Sequence, residues 1–216
     1  MFTLGRESFA TSAVALLAAT VLLLGLPQGG VAGVNIEKTV YAGWPNCYRI
    51  SNGVVELFAT TDVGPRLIRF GFVGERNEFK EYADQVGKTG GDEWNIFGGH
   101  RLWHSPERKP RSYSPDNTPI EAKVEGVKLI LTQPVEPTTG IRKQMIVEMS
   151  ADKPAVRVTH VLRNQGEWPI ELSAWALTVM AQGGQCIIPF PRHDDPAGLL
   201  PTHGVILWPY TDCTDP

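Results

Sequence analysis

The chain is poor in the residues that would settle its class at once. Three cysteines in 216 residues exclude a disulfide-dense miniprotein. Neither sign of charge dominates. Twenty Lys and Arg face 23 Asp and Glu, for a net charge of −3, so there is no basic footprint for nucleic acid and no acidic tail. Beyond the first 26 residues no long apolar run recurs, which excludes a polytopic membrane protein. Nucleotide-binding signatures are absent, both the Walker loop and the Rossmann glycine pattern, and so is the Gly-x-Ser-x-Gly nucleophile turn. Cys47, Cys186 and Cys213 fit no zinc-ligand spacing, and an odd number cannot all pair within one chain. What remains is ordinary globular composition, 42% hydrophobic and 20% charged, enough for one large domain.

The N-terminus stands apart. Residues 13–26 (AVALLAATVLLLGL) run without a charge after Arg6, Pro27 breaks the run, and Gly30-Val31-Ala32 places small residues where a signal peptidase reads them. This order predicts a signal peptide over residues 1–32 and a secreted or periplasmic domain over residues 33–216. Uncleaved, the same segment would be an N-terminal membrane anchor, though 14 residues are short for a span of about 20. A membrane is a partner only in that second case.

The rest reads as strands. Short β-rich runs alternate with Gly, Pro, Asn and Asp. Residues 47–50 and 54–60 flank Ser51-Asn52-Gly53, a hairpin signal because Asn and Gly tolerate positive φ. In residues 66–72 (RLIRFGF), strict alternation puts Phe70 and Phe72 on the face of Ile68, opposite Leu67. Further strands are expected at 120–125, 127–132, 142–149, 155–163, 170–180, 186–190 and 205–208. Residues 78–86 are the one stretch with a helical pair, Tyr82 and Val86. Residues 88–95 and 107–119 read as loops. The pattern predicts an all-β fold, an antiparallel β-sandwich.

Chemistry concentrates in residues 94–107, WNIFGGHRLWHSPE. Two glycines before the first His allow a sharp turn or a close backbone approach. Indole rings stack on the apolar face of a sugar, while Arg, His and carboxylates bond its hydroxyls. Arg101, Trp103, Glu107 and Trp175 are therefore candidate substrate-binding residues. His100 and His104 are candidate acid–base groups. They do not read as metal ligands. Arg101 occupies the place of the acid in a zinc-peptidase helix, and on a strand the two side chains lie about 13 Å apart on one face. No cofactor is expected. His160, inside RVTHVLRN, reads as a half-buried strand residue. His193-Asp194-Asp195 reads as a solvated loop, and residues 208–212 (WPYTD) suit a carbohydrate surface.

Three segments carry a resemblance. Residues 61–78 (TDVGPRLIRFGFVGERNE), 97–107 (FGGHRLWHSPE) and 155–180 (AVRVTHVLRNQGEWPIELSAWALTVM) resemble the galactose-mutarotase-like, aldose 1-epimerase-like superfamily. More narrowly, GGHRLWHSPE, SAWALTVMAQGG and LWPYTD resemble a bacterial branch of it. The resemblance implies a β-supersandwich that binds carbohydrate. In aldose epimerases a His on the later strand is the acid and a C-terminal Glu the base. Here residues 168–181 contain no His, Trp175 stands near that place, and no Glu near the C-terminus matches. The chain is also shorter than a full supersandwich, so it is expected to be C-terminally truncated.

These features predict an exported carbohydrate-binding domain. The alternatives are a sugar epimerase, an aldose 1-epimerase-like isomerase using His100 or His104, and a structural or protein-interaction sandwich in which Trp103 and His104 serve stability or partner binding and glycans are irrelevant.

Overall fold

Turn chemistry and two-residue periodicity account for most of the strands in the computed structural model, which describes residues 2–3, 33–189, 198, 204, 206–207, 212 and 214. The expected signal peptide lies outside the described residues apart from positions 2 and 3. So do residues 193–195 and most of 205–212. Among the described residues eleven strands occur: β1 (Phe2–Thr3), β2 (Asn35–Tyr41), β3 (Trp44–Ser51), β4 (Val55–Thr60), β5 (Arg66–Phe72) and β6 (Gly99–Ser105). After a single 3-10 turn at Arg111–Tyr113 follow β7 (Glu121–Glu125), β8 (Lys128–Thr132), β9 (Ile141–Met149), β10 (Ala155–Asn164) and β11 (Ser173–Val179). Among the described residues there is no α-helix.

The strands form two antiparallel sheets. One has six strands in the order β11-β6-β5-β4-β3-β2, the other five in the order β1-β10-β9-β8-β7. Strands β2 to β6 meander through the first sheet, β7 to β10 through the second, and β11 returns beside β6. The fold is an all-β antiparallel sandwich. Its main core is made by both inner faces: Ile50, Val55, Leu57, Ala59, Leu67, Phe70 and Leu102 from one sheet meet Leu129, Leu131, Met145, Val147, Met149 and Val156 from the other. Each of the larger side chains contributes about 1.5–3 kcal/mol by leaving water. A second apolar cluster, Trp44, Cys47, Phe58, Val63, Ile68 and Phe97, lies on the other face of the six-stranded sheet.

The β3–β4 hairpin follows from its turn. Gly53 has φ +83°, and the Asn52 carboxamide oxygen accepts from the backbone N–H groups of Val54 and Val55 at 3.0 and 2.9 Å. The Asn52 amide donates to the carbonyls of Ser150 and Lys153 in the β9–β10 turn at 2.8 and 3.0 Å. One side chain therefore closes a hairpin and ties the two sheets together.

Several expectations need correction. Ile68 does not share a face with Phe70 and Phe72. Phe58 pairs with Arg69 and Ala59 with Leu67, so Ile68 is the extra residue of a β-bulge. The bulge inverts the alternation, placing Leu67 with Phe70 in the main core and Ile68 against Trp44 and Phe97. Residues 78–86 are not helical. Phe79 and Glu81 make isolated bridges to Met180 and Gly98, and only one turn closes at Tyr82. Strand β2 was not expected, because as an edge strand it keeps mostly exposed polar positions and shows no apolar run.

The chain divides into two compact units, residues 1–182 and 183–216. Both sheets belong to the first. In the second, residues 186–189 are described and form no strand, and the Cys186 thiol is free and exposed, as Cys47 in the first unit is free and buried.

Replacing Asn52 by Ala removes four hydrogen bonds at one buried position and is expected to lower unfolding stability by about 1–3 kcal/mol. Equilibrium urea denaturation measures this, and an unchanged midpoint would contradict the role given to Asn52.

Candidate functional site

The site begins with two glycines. A Cβ on Gly98 would lie 1.9 Å from the Lys80 carbonyl oxygen, and one on Gly99 would lie 2.1 Å from that of Leu67. Both have positive φ, 101° and 63°. Only glycine lets β6 enter this close beside β5. The entry sets the register Leu67↔His100 and Arg66↔Arg101 on one side, and Leu177↔Arg101 and Trp175↔Trp103 on the other.

Alternation along β6 then divides the candidate residues. Leu102 belongs to the core between the sheets, so His100 and His104 point there too, while Arg101 and Trp103 point to the outer face. The outer face gathers an aromatic cluster. The Trp103 ring lies 5.4 Å from Trp175, 5.5 Å from Trp94 and 5.0 Å from Tyr113. The Arg101 guanidinium carbon sits 4.1 Å from the Trp103 ring centroid and 4.6 Å from that of Trp94. Glu107, though exposed, joins the group by accepting a hydrogen bond from the Tyr113 hydroxyl. Arg101, Trp103, Glu107 and Trp175 are thus brought together.

Arg101 is 5% exposed, yet its Nε and Nη1 have no hydrogen-bond partner, nor have the indole nitrogens of Trp94 and Trp103. A buried donor left unpaired costs about 1–3 kcal/mol, and more when charged. The neighbouring Arg66 also leaves its Nε unpartnered, but its charge is paired. It is fully buried, bonded to Asp116 at 2.9 Å and to the Ile96 carbonyl at 2.8 Å, and packed 4.8 Å over Phe97. Burial, with the Arg66 charge nearby, pushes the Arg101 guanidinium down to about 10.

His100 and His104 do not join this cluster. Their row of β6 faces the opposite sheet, so the expected pairing of an imidazole with Arg101 at one substrate is not formed. His100 Nε2 meets His160 Nε2 at 2.8 Å, and its Nδ1 meets the Thr178 hydroxyl at 2.8 Å. Burial and the neighbouring imidazole push His100 down to about 4, and burial also lowers His160. One ring of the pair therefore donates and the other accepts, both neutral at pH 7. His104 Nε2 lies 3.7 Å from Glu136 Oε2, an ion-pair distance beyond hydrogen-bond length. Glu136 also receives Lys143 Nζ at 2.5 Å and the Thr139 hydroxyl at 2.6 Å. Burial pushes the Glu136 carboxyl up, but its contacts with His104, Lys143 and Thr139 outweigh this and hold it at about 2. His160 is half-buried on its strand, as its alternation with Val156 and Val158 indicates. No group of three or more His, Cys, Asp or Glu residues among those described could hold a metal ion, and no described helix is long and apolar enough to cross a membrane.

Tyr113, Arg66 and Asp116 are members of the site that sequence patterning does not mark. Tyr113 and Asp116 sit in the irregular stretch between β6 and β7, where no periodicity points to a face. Trp94 lies five residues before β6 and reaches the cluster only through folding of the connecting loop. Comparison with protein-family models finds no match, and neither do comparisons with curated proteins and with solved structures.

Two variants probe the polar groups between the sheets. Because folded His100 titrates below its ordinary 6.5, the unfolded chain binds a proton that the folded chain refuses between pH 6.5 and about 4. The stabilisation is complete above pH 6.5 and is lost as pH falls through that window, by about 3 kcal/mol at most. Urea midpoints at pH 7.5 and 4.5 should show this acid sensitivity in the wild type and less of it in His100→Gln, and equal sensitivity would contradict it. Lys143→Met leaves the Glu136 carboxylate buried without its cation and should cost about 3–5 kcal/mol. The double variant Glu136→Gln, Lys143→Met should recover part of that loss.

Proposed function

We propose that this chain is an exported carbohydrate-binding domain of galactose-mutarotase-like character, and that the outer face of its six-stranded sheet holds the sugar. One observation carries the reading: four aromatic side chains from separate parts of the chain cluster on Trp103, with Trp94, Tyr113 and Trp175 against its ring, and Arg101 packs over Trp94 and Trp103. Rigid indole rings offer a flat apolar surface matching the C–H face of a pyranose, and the guanidinium offers donors to its oxygens. Trp175 and Tyr113 are only partly buried and form the accessible side of the cluster. The N-terminal signal-like segment supports export.

The proposal stops at binding. Acid–base catalysis needs a titratable group within hydrogen-bond reach of the sugar. The imidazoles of His100 and His104 lie on the other face of β6, already engaged with His160 and near Glu136. An epimerase built on those two histidines would have to act between the sheets, where the core residue Leu102 stands between them.

Calorimetric titration of the chain against a panel of neutral and acidic oligosaccharides tests the reading. Trp175→Ala should weaken any binding roughly tenfold, about 1.4 kcal/mol, with thermal unfolding little changed. Failure to bind any saccharide would overturn the proposal.

A further inference from the structure

The donors around Arg101 outnumber the acceptors, and this imbalance says what kind of ligand the face would take. A guanidinium carries five N–H donors and no acceptor, and an indole carries one donor and no acceptor. Nε and Nη1 of Arg101 and the indole nitrogens of Trp94 and Trp103 are all buried and all unpartnered. No carboxylate among the described residues forms an ion pair with Arg101. Asp116 is committed to Arg66 at 2.9 Å, and Glu107 to the Tyr113 hydroxyl. Arg66 itself lies opposite Arg101 in the strand register, adding a second cation on the same face. Asp116 is taken up by Arg66, so the Arg101 guanidinium is left without a carboxylate partner of its own under an aromatic cover.

A neutral sugar hydroxyl leaves that charge uncompensated. An oxyanion accepts from the guanidinium N–H groups and from an indole N–H, and its charge cancels that of the arginine. We infer that the saccharide bound at this face carries an anionic substituent, a carboxylate, sulfate ester or phosphate ester, which sits on Arg101 beside Trp94 and Trp103. The inference rests on the carbohydrate reading and adds charge selectivity to it. Burial of the guanidinium, which also lowers its proton affinity, makes the pairing strong because little water competes.

Matched ligands test it. The chain is titrated with oligogalacturonate, with the same oligomer fully methyl-esterified, with a sulfated galactan oligosaccharide, with a neutral galactan oligosaccharide, and with sodium sulfate and sodium phosphate. At least one acidic oligosaccharide should bind ten times or more tightly than its neutral counterpart, and added salt should weaken it. Arg101→Gln should erase the preference and Arg101→Lys should keep part of it. Because Arg101→Gln can also disturb packing, the esterified ligand on the unaltered chain gives the same comparison without a variant. Equal affinity for acidic and neutral oligomers would overturn the charge inference and leave the carbohydrate reading standing. Binding of the inorganic anions alone, with no saccharide bound, would overturn the assignment to a saccharide. Binding of nothing would overturn both.

Discussion

Strand β6 is buried on both faces, and the close approach of its first residues to β5 sets everything around it. Gly98 and Gly99 admit carbonyl oxygens where any other side chain would begin. From that entry the two-residue period runs without interruption to Ser105, with His100, Leu102 and His104 turned to the opposite sheet and Arg101 and Trp103 turned outward. A slip of one residue would exchange the two sets and bury the wrong chemistry on each side. The adjacent strands read this register off the backbone, β5 by placing Arg66 beside Arg101 and β11 by placing Trp175 beside Trp103.

The space between the sheets is unusually polar for a sandwich core. Leu102 is flanked along its own strand by two histidines, each meeting a polar group from the second sheet or its connections. His100 is hydrogen-bonded on both nitrogens, while His104 reaches Glu136 only at 3.7 Å, a distance at which attraction to the carboxylate persists without a hydrogen bond. Glu136 is the best supplied, with Lys143, Thr139 and Gln133 all within bonding distance. The His100–His160 contact joins β6 to β10 across the two layers, whereas the contacts of Glu136 with Lys143, Thr139 and Gln133 hold the β8–β9 connection together. Unpartnered polar atoms occur on both sides of β6: both nitrogens of His104 between the sheets, and Nε and Nη1 of Arg101 with the indole nitrogens of Trp94 and Trp103 on the outer face.

Much of the architecture is legible in the residues. Asn52-Gly53 marks the β3–β4 hairpin because its backbone needs exceptional φ values, and the runs around Gly126 and Asp152-Lys153 mark the turns of the second sheet. Where the reading of RLIRFGF failed, the cause is local: a bulge at Ile68 adds a residue without changing the pattern of apolar letters. Tyr82 and Val86 stand four apart as a helical pair would, yet the chain there bridges to Gly98 and Met180, and neighbouring strands outweigh one turn of helix.

The amino-acid sequence by itself determined the all-β class, the hairpins, and the concentration of Trp, Arg and His within residues 94–107. It determined too that His100 and His104 share a face, because two-residue alternation is a property of any extended chain. Which face that is belongs to the tertiary structure. Only the pairing of β6 with β5 and β11 turned the histidines inward and Arg101 outward. Only the path of the loops brought Trp94 over Arg101, Tyr113 against Trp103 and Asp116 against Arg66. Those contacts join residues far apart along the chain or in irregular stretches, and periodicity carries no information about them.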